Sequence, residues 1–451
     1  MNKSQTPLVD ALLRHQNGCP VPFHMPGGKG RPLPVEQLGP MSAFDVTELP
    51  DTGNLYEGGD VIGEAEELWA AAFGFPTCQF LTGGSTQGLQ AALLLSARWG
   101  REVLVDRCSH RSIFNALALF DLHPTFFLRR QDQPVTPEGL DQALAEREKA
   151  GCPANTVCVT SPTYYGVLSD VEALAKVAHR HGAKLIVDGA HGCHLPFLGE
   201  HPFRGADLAV CSAHKTLPAY GQGAVLFAAY GIEPKAVRWA ASVVGTSSPS
   251  YPIMASMDQA RAWLQGTEGQ VRLLAVKSCV KRLAERFGTI QGVALDPLRL
   301  TLEVPDKGGF ALKKRLEREG IFPEMADSGH VVFLFSTANT QEDFSRLEEA
   351  LAKDYVPGPI GHTALPPAPE AAVSPKEALT AKRVGKVLKD CEGEVAAQQI
   401  APYPPGIPVV APGERITKKC LAYLEEVGYN VLQEVDVLCS GQGAGTDREE
   451  P

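Results

Sequence analysis

KLIVDGAHGCH (Lys184–His194), followed by DLAVCSAHKTLPAYGQG (Asp207–Gly223), decides how the chain is read. Each stretch opens with a short apolar run of strand length, bounded by turn-forming residues. The first run ends in Asp188, and the second is followed closely by Lys215, 27 residues further on. If the two strands lie parallel in one sheet, their carboxyl ends share a rim, where an acid and an amine converge on one ligand. Taken alone, an Asp at a strand end and a Lys in a loop are common. The surrounding sequence has to decide.

Outward from this pair the alternation of strand and helix continues. CQFLT leads to TQGLQAALLLSARWG, EVLVD to HRSIFNALALF and TVCVT to DVEALAKVAHRHG, and the run closes with AVLFA at Phe227. This pattern predicts an α/β fold: a large, mostly parallel sheet with helices on both faces. Met254–Phe287 reads as one long helical stretch. Beyond it RLTLEV and HVVFLFS read as strands, and GFALKKRLERE and TQEDFSRLEEALAK as amphipathic helices, which make a smaller α+β unit. Val356–Pro375 is proline-rich and reads as a linker before a segment that contains APYPPGIPVVAPGE. The expected division is an N-terminal segment (1–60), a large α/β domain (61–253), a connecting helix with a small α+β domain (254–355), the linker (356–375) and a C-terminal segment (376–451). The final SGQGAGTDREEP imitates a dinucleotide fingerprint, but no helix follows it, so it reads as a frayed tail.

Composition narrows the class of function. With 451 residues, 44% hydrophobic and 21% charged, the chain can build a large packed domain and one or two smaller ones. The net charge of -10 is spread along the chain, and no basic run interleaves with aromatics, so nucleic acid is not an expected partner. MNKSQTPLVDALLRHQNG lacks a signal-peptide core, and no apolar run has the length of a membrane span, so a cytoplasmic protein with no membrane partner is expected. Eleven cysteines, none spaced as C-x-x-C, argue against a disulfide frame or a zinc ribbon.

A third element gives the acid and the amine a purpose. FLTGGSTQGLQAALLL joins a strand to a helix through Gly83, Gly84, Ser85 and Thr86, and amides and hydroxyls at a helix N-terminus suit a phosphate. By itself such a turn is also an ordinary helix cap. Phosphate cradle, acid and lysine together match the needs of pyridoxal 5′-phosphate. Its aldehyde forms an imine with an amine (Lys215), its ring nitrogen stays protonated beside a carboxylate (Asp188), and its phosphate is anchored (83–86).

The ordered blocks HMPGGKG (24–30), TELPDTGNLYEGGDVIGEAEELWAAAFG (47–74), LVDRCSHRS (104–112), SPTYYG (161–166), VDGAHG (187–192), SAHKTL (212–217), TSSPSY (246–251) and YPPGIPVVAPGE (403–414) go further. Through them the chain resembles the Orn/Lys/Arg decarboxylase family over nearly its whole length. That resemblance implies the pyridoxal-phosphate-dependent transferase fold, of the aspartate-aminotransferase-like type. It matches Lys215 to the imine lysine, Asp188 to the pyridinium partner and His110 to the imidazole that stacks on the ring. Gly84, Ser85 and Thr86 match the phosphate loop. Ser212 and His214 match positions beside the lysine that contact phosphate or substrate, Ala190 a position against the ring, and His191 one near its hydroxyl. Thr246, Ser247 and Ser248 match a loop that this fold brings in from a partner subunit, which implies a homodimer or larger homo-oligomer. Glu414 follows a proline-rich block that the family brings near the active site, and its carboxylate is the candidate partner for a cationic substrate. Two positions depart from the family pattern, which has a glutamate at Gly189 and a histidine at Gly28.

The reaction implied is α-decarboxylation of a basic amino acid. Arginine to agmatine comes first, because the chain is most similar to the shorter family members, which lack an N-terminal receiver-like domain and serve polyamine metabolism. Lysine and ornithine are the alternatives. Tyr164, Tyr220, His214 and Lys215 are candidate proton donors. Two other readings stay open: an aminotransferase or lyase on the same fold, and a non-catalytic, cofactor-binding regulatory protein. His191-Gly-Cys-His194 has the composition of a metal site, but no second ligand cluster accompanies it, so no metal is expected.

Overall fold

The computed structural model describes residues 5–18, 25–26, 39–306, 308–356, 358, 365–402 and 406–439. HMPGGKG, apart from Met25 and Pro26, lies outside them, as do Gly28, Tyr403–Pro405 and the C-terminal tail.

Seven strands make the central sheet: β1 (Thr77–Leu81), β2 (Glu102–Asp106), β3 (His123–Phe127), β4 (Thr156–Thr160), β5 (Lys184–Asp188), β6 (Leu208–Ser212) and β7 (Ala224–Ala228). Their order is β1-β7-β6-β5-β4-β2-β3. The run from β3 to β6 is parallel, whereas β7 is antiparallel to both β6 and β1. Two reversals restore the direction, so β1 ends on the same rim as β5 and β6.

The pleat divides the strand residues between two cores. Val157, Val159, Leu185, Val187, Ala209 and Phe227 face one, and Cys158, Ile186, Leu208, Val210, Leu226 and Ala228 face the other. Apolar side chains on alternate faces and cover on both sides explain why these strands read as unbroken apolar runs. β3 escaped that reading. Its residues are exposed or half-buried and it carries Pro124, which an edge strand tolerates because one side of its ladder is unpaired.

The helical stretch expected at Met254–Phe287 is two helices, Tyr251–Gln265 and Thr267–Phe287, broken where Gly266 takes an extended ψ of 163°. The smaller unit that follows is an antiparallel sheet of β8 (Arg299–Glu303), β9 (Met325–Ala326) and β10 (His330–Leu334), in the order β8-β10-β9. It is packed by helices Gly309–Arg318 and Gln341–Asp354, the second started by a Thr340/Asp343 capping box. The C-terminal unit pairs β11 (Arg383–Val387) with β12 (Glu434–Leu438) and has its own core around Leu388, Ile400, Ile416 and Leu424.

Candidate active site

Strand register brings the decisive loops together. Leu81 at the end of β1 and Ser212 at the end of β6 both pair with Ala224 of β7. Asp188, ending β5, pairs with Val210 of β6. The turn after β1, the acid and the lysine loop therefore meet on one rim. They enclose a cavity of about 350 Å³ whose wall includes Gly84, Ser85, Thr86, His110, Asp188, Ala190, His191, Ser212, His214 and Lys215.

One end of the cavity is built for an anion. Helix Gly84–Ser96 begins after Gly83 with no side chain capping its first turn, which leaves amides and a partial positive charge facing the cavity. Gly84 has φ +73°, a left-handed conformation that disfavours any side chain, and its amide donates to the Gln222 carbonyl at 2.8 Å. The hydroxyls of Ser85 and Ser212 lie 2.5 Å apart. Thr160 adds a buried hydroxyl with no partner among the described residues.

The other end is electrostatically tense. Burial raises the Asp188 pKa, opposed by the charge of Lys215, and the Ala190 amide donates to its Oδ1 at 3.2 Å. A buried carboxylate so short of donors suits a protonated ring nitrogen. Burial likewise favours the neutral amine of Lys215, against the pull of Asp188. Burial and Lys215 push His110 down to about 4, so its ring is neutral at physiological pH. His214 donates through Nδ1 to the Gly223 carbonyl at 2.9 Å, and burial lowers its pKa as well. Phosphate cradle, acid and amine thus fit pyridoxal phosphate on geometry.

Two residues escaped sequence reasoning. Glu324, just before β9, reaches the cavity and accepts the Tyr164 hydroxyl at 2.7 Å. Arg299, the first residue of β8, lies behind the wall against His191. Neither stands in a motif; each arrives from the smaller unit by tertiary contact alone.

Two expectations are corrected, those for Glu414 and Tyr220. Glu414 does not reach this cavity. Arg107 grips both its oxygens at 2.7 Å and the Ala411 amide donates to it at 2.8 Å, so a buried ion pair occupies the carboxylate intended for substrate. Tyr220 is exposed, its hydroxyl donates to the Met41 sulfur at 2.9 Å, and it does not line the cavity. Thr246, Ser247 and Ser248 are exposed on a turn and do not line the cavity of their own chain. His194 turns inward onto Asp296 at 2.7 Å. Gly189 has a steric reason: a Cβ there would stand 2.4 Å from Phe203 Cε1, so the aromatic ring fills the space that a side chain at 189 would need.

Comparison with known proteins follows the same lines. The sequence profile of the Orn/Lys/Arg decarboxylase major domain matches residues 6–294, and that of the family's C-terminal domain matches residues 362–433. The chain is 31% identical over 458 residues to Bacillus subtilis YaaO, covering 94% of each chain. It is 29% identical over 464 residues to the arginine decarboxylase of Bacillus subtilis, again covering 94% of each. Among solved structures it resembles lysine decarboxylase A from Pseudomonas aeruginosa, with a TM-score of 0.79, 20% identity, and cover of 96% of this chain and 80% of the other.

Proposed function

The chain belongs to the Orn/Lys/Arg decarboxylase family, and from that premise we propose that it decarboxylates arginine to agmatine with pyridoxal 5′-phosphate held on Lys215. The observation that carries this reading is the single cavity where Lys215, Asp188 and an uncapped helix N-terminus converge, with Glu324 on its wall. When bound, the cofactor supplies an electron sink for the pair released as the Cα–carboxylate bond breaks.

The chain's own residues do the rest. Asp188 keeps the ring nitrogen protonated. Gly84, Ser85, Thr86 and Ser212 hold the phosphate. His110, as a neutral imidazole, would stack on the ring, with Ala190 against it and His191 toward its hydroxyl. His214 stands beside the lysine for phosphate or substrate. Tyr164, His214 and Lys215 remain the candidates for returning a proton to Cα. Glu324 replaces Glu414 as the partner for the substrate's cation, and a carboxylate can take a planar guanidinium through two parallel bonds.

The arginine assignment is supported by relatives that carry the name arginine decarboxylase at 29% identity, against 24% for a lysine decarboxylase of Escherichia coli. We also propose a homodimer in which Thr246, Ser247 and Ser248 reach the partner's cavity. No described helix is long and apolar enough to cross a membrane. The described cysteines are all unpaired, which suits the cytoplasm we propose.

The test is purified protein with cofactor, assayed for carbon dioxide and amine from arginine, lysine and ornithine. The largest kcat/KM should belong to arginine. A larger value for lysine or ornithine defeats the arginine assignment, and keto-acid formation without carbon dioxide defeats the decarboxylase. Glu324→Gln should lower kcat/KM for the cationic substrate by about tenfold to a hundredfold, the loss of a charged hydrogen bond. An unchanged value removes Glu324 from the substrate site.

A further inference from the structure

Behind the cavity a line of polar groups runs from Lys215 into the smaller unit. Lys215 Nζ lies 3.3 Å from His191 Nε2, and the other ring nitrogen, Nδ1, lies 3.3 Å from Arg299 Nη2. The Arg299 side chain is 1% exposed. Its Nη1 donates to the Tyr164 carbonyl at 3.2 Å, and Asp296 Oδ2 stands 4.0 Å from Nη2. Asp296 is in turn held by His194 at 2.7 Å and by the Leu298 amide at 2.9 Å. Arg299 reaches His191 by passing over Gly166, where a Cβ would stand 2.6 Å from Arg299 Cγ. It is therefore fixed in place.

A guanidinium has five donors and no acceptor, and it keeps its charge when buried. The ring nitrogen that meets it must be the bare one, and in a neutral imidazole the proton then sits on Nε2. Neutral is the expected state, because burial, Lys215 and Arg299 all push the His191 pKa well below its usual value.

We propose, on the reading of Lys215 as the reacting amine, that Arg299 is a positioning residue. It fixes His191 as the Nε2–H tautomer, which presents a donor to Lys215 and holds that side chain as the neutral, nucleophilic amine. An ammonium facing an N–H sets donor against donor, whereas an amine offers its lone pair. The other groups around Lys215 pull both ways: Asp188 and Glu324 favour the ammonium, and Arg299 and burial oppose it. His110, also close, is coupled to the same charge and is neutral. The tautomer of His191 tips this balance at contact distance.

The test reads the proton directly. In the full-length chain, stripped of cofactor and isotopically labelled at its histidines, long-range proton–nitrogen correlations near neutral pH report which ring nitrogen is protonated. His191→Gln identifies the resonances. The proton should be on Nε2 in the wild type and in Arg299→Lys, and should move to Nδ1 in Arg299→Met, where Nε2 can accept from a Lys215 ammonium. On adding cofactor, its capture by Lys215, trapped with borohydride, should slow about tenfold in Arg299→Met for each unit by which the lysine pKa rises, and recover at higher pH. Arg299→Lys should stay within about twofold of the wild-type rate. A wild-type His191 protonated on Nδ1 overturns the proposal whatever the variants do. So does an Arg299→Met chain that keeps Nε2–H and captures cofactor at the wild-type rate. Trapping on a residue other than Lys215 overturns the lysine assignment instead and leaves the His191 tautomer standing.

Discussion

Replacing Glu414 with alanine should loosen the C-terminal unit while leaving the chemistry of each folded molecule intact. The Arg107 and Glu414 side chains are 1% and 7% exposed, and two parallel bonds of 2.7 Å join them. The Ala411 amide completes the carboxylate's shell at 2.8 Å, and Arg107 also donates to the Val409 carbonyl at 2.9 Å. Removing the carboxylate leaves a buried guanidinium without its counter-charge and an amide without its acceptor. Losing one partner of a buried pair costs about 3–5 kcal/mol. Arg107 keeps Val409 and its place over the Phe126 ring at 4.8 Å, so the lower end applies. About 3 kcal/mol corresponds to a roughly 150-fold rise in the opening equilibrium of the unit. Native-state hydrogen exchange would read it on the amides of β11, β12 and Ala396, with β4 to β6 as the internal control. The double variant Arg107→Met/Glu414→Met should recover most of the loss, because exchanging both charges for apolar groups is close to neutral. Unchanged exchange in Glu414→Ala, together with a selective fall in kcat/KM for arginine, would refute this reasoning and return Glu414 to the substrate site.

Lys215→Ala should lose both the yellow colour of the cofactor-loaded protein and the borohydride-trapped peptide, and trapping elsewhere would move the site. Asp188→Asn should retain cofactor, seen by absorbance, yet lose roughly 10²–10³-fold in turnover, the scale of removing one preorganised electrostatic partner; near-normal rates would refute its role. His110, held at about 4 against an ordinary value of 6.5, favours the folded state above pH 6.5 and loses that contribution as pH falls toward 4. Denaturant titrations of His110→Phe should therefore show a flatter stability profile across that window, and an unchanged slope would show that the imidazole is not buried neutral. Gly189→Ala should destabilise by about 1–3 kcal/mol through its clash with Phe203, and Phe203→Leu should relieve it in the double variant; additive losses would mean that the ring is not what fills the position.

The parts legible in the sequence are those whose physics is local. β4, β5 and β6 could be read because strands covered on both faces must be apolar throughout. Asp188 and Lys215 could be paired because adjacent parallel strands put their ends on one rim. What stayed hidden depends on contacts between distant residues. Tyr164 and Glu324 are 160 residues apart, His191 and Arg299 are 108 apart, and Arg107 and Glu414 are 307 apart. No periodicity encodes such pairs. A glutamate after a proline-rich block reads the same whether it faces a cavity or a buried arginine, and Arg107 follows β2 with nothing to mark it as the partner. β3 and the helix break at Gly266 stayed hidden for a different reason: a proline bars a central strand but not an edge one, and a lone glycine in a helical pattern need not break it.

The smaller unit also reaches the cavity. Three of its side chains cross to the loop that follows β4, and each lands on or behind the cavity wall. Glu324 takes the Tyr164 hydroxyl at 2.7 Å, Asp327 takes the Tyr165 hydroxyl at 2.5 Å, and Arg299 donates to the Tyr164 carbonyl at 3.2 Å. Backbone bonds stitch the same two segments, with the Asp296 amide on Gly166 at 2.8 Å and the Leu168 amide on Ala294 at 2.9 Å. The carboxylate proposed to select a cationic substrate and the guanidinium proposed to set the state of the lysine therefore stand on the same small sheet, Arg299 in β8 and Glu324 just before β9. The two proposed roles should therefore be coupled: a shift of the smaller unit that moved Glu324 off Tyr164 should also draw Arg299 from His191. Gly166, with φ +84° and Arg299 Cγ 2.6 Å from the place where a Cβ would stand, leaves room for that approach, and a side chain there would push Arg299 aside.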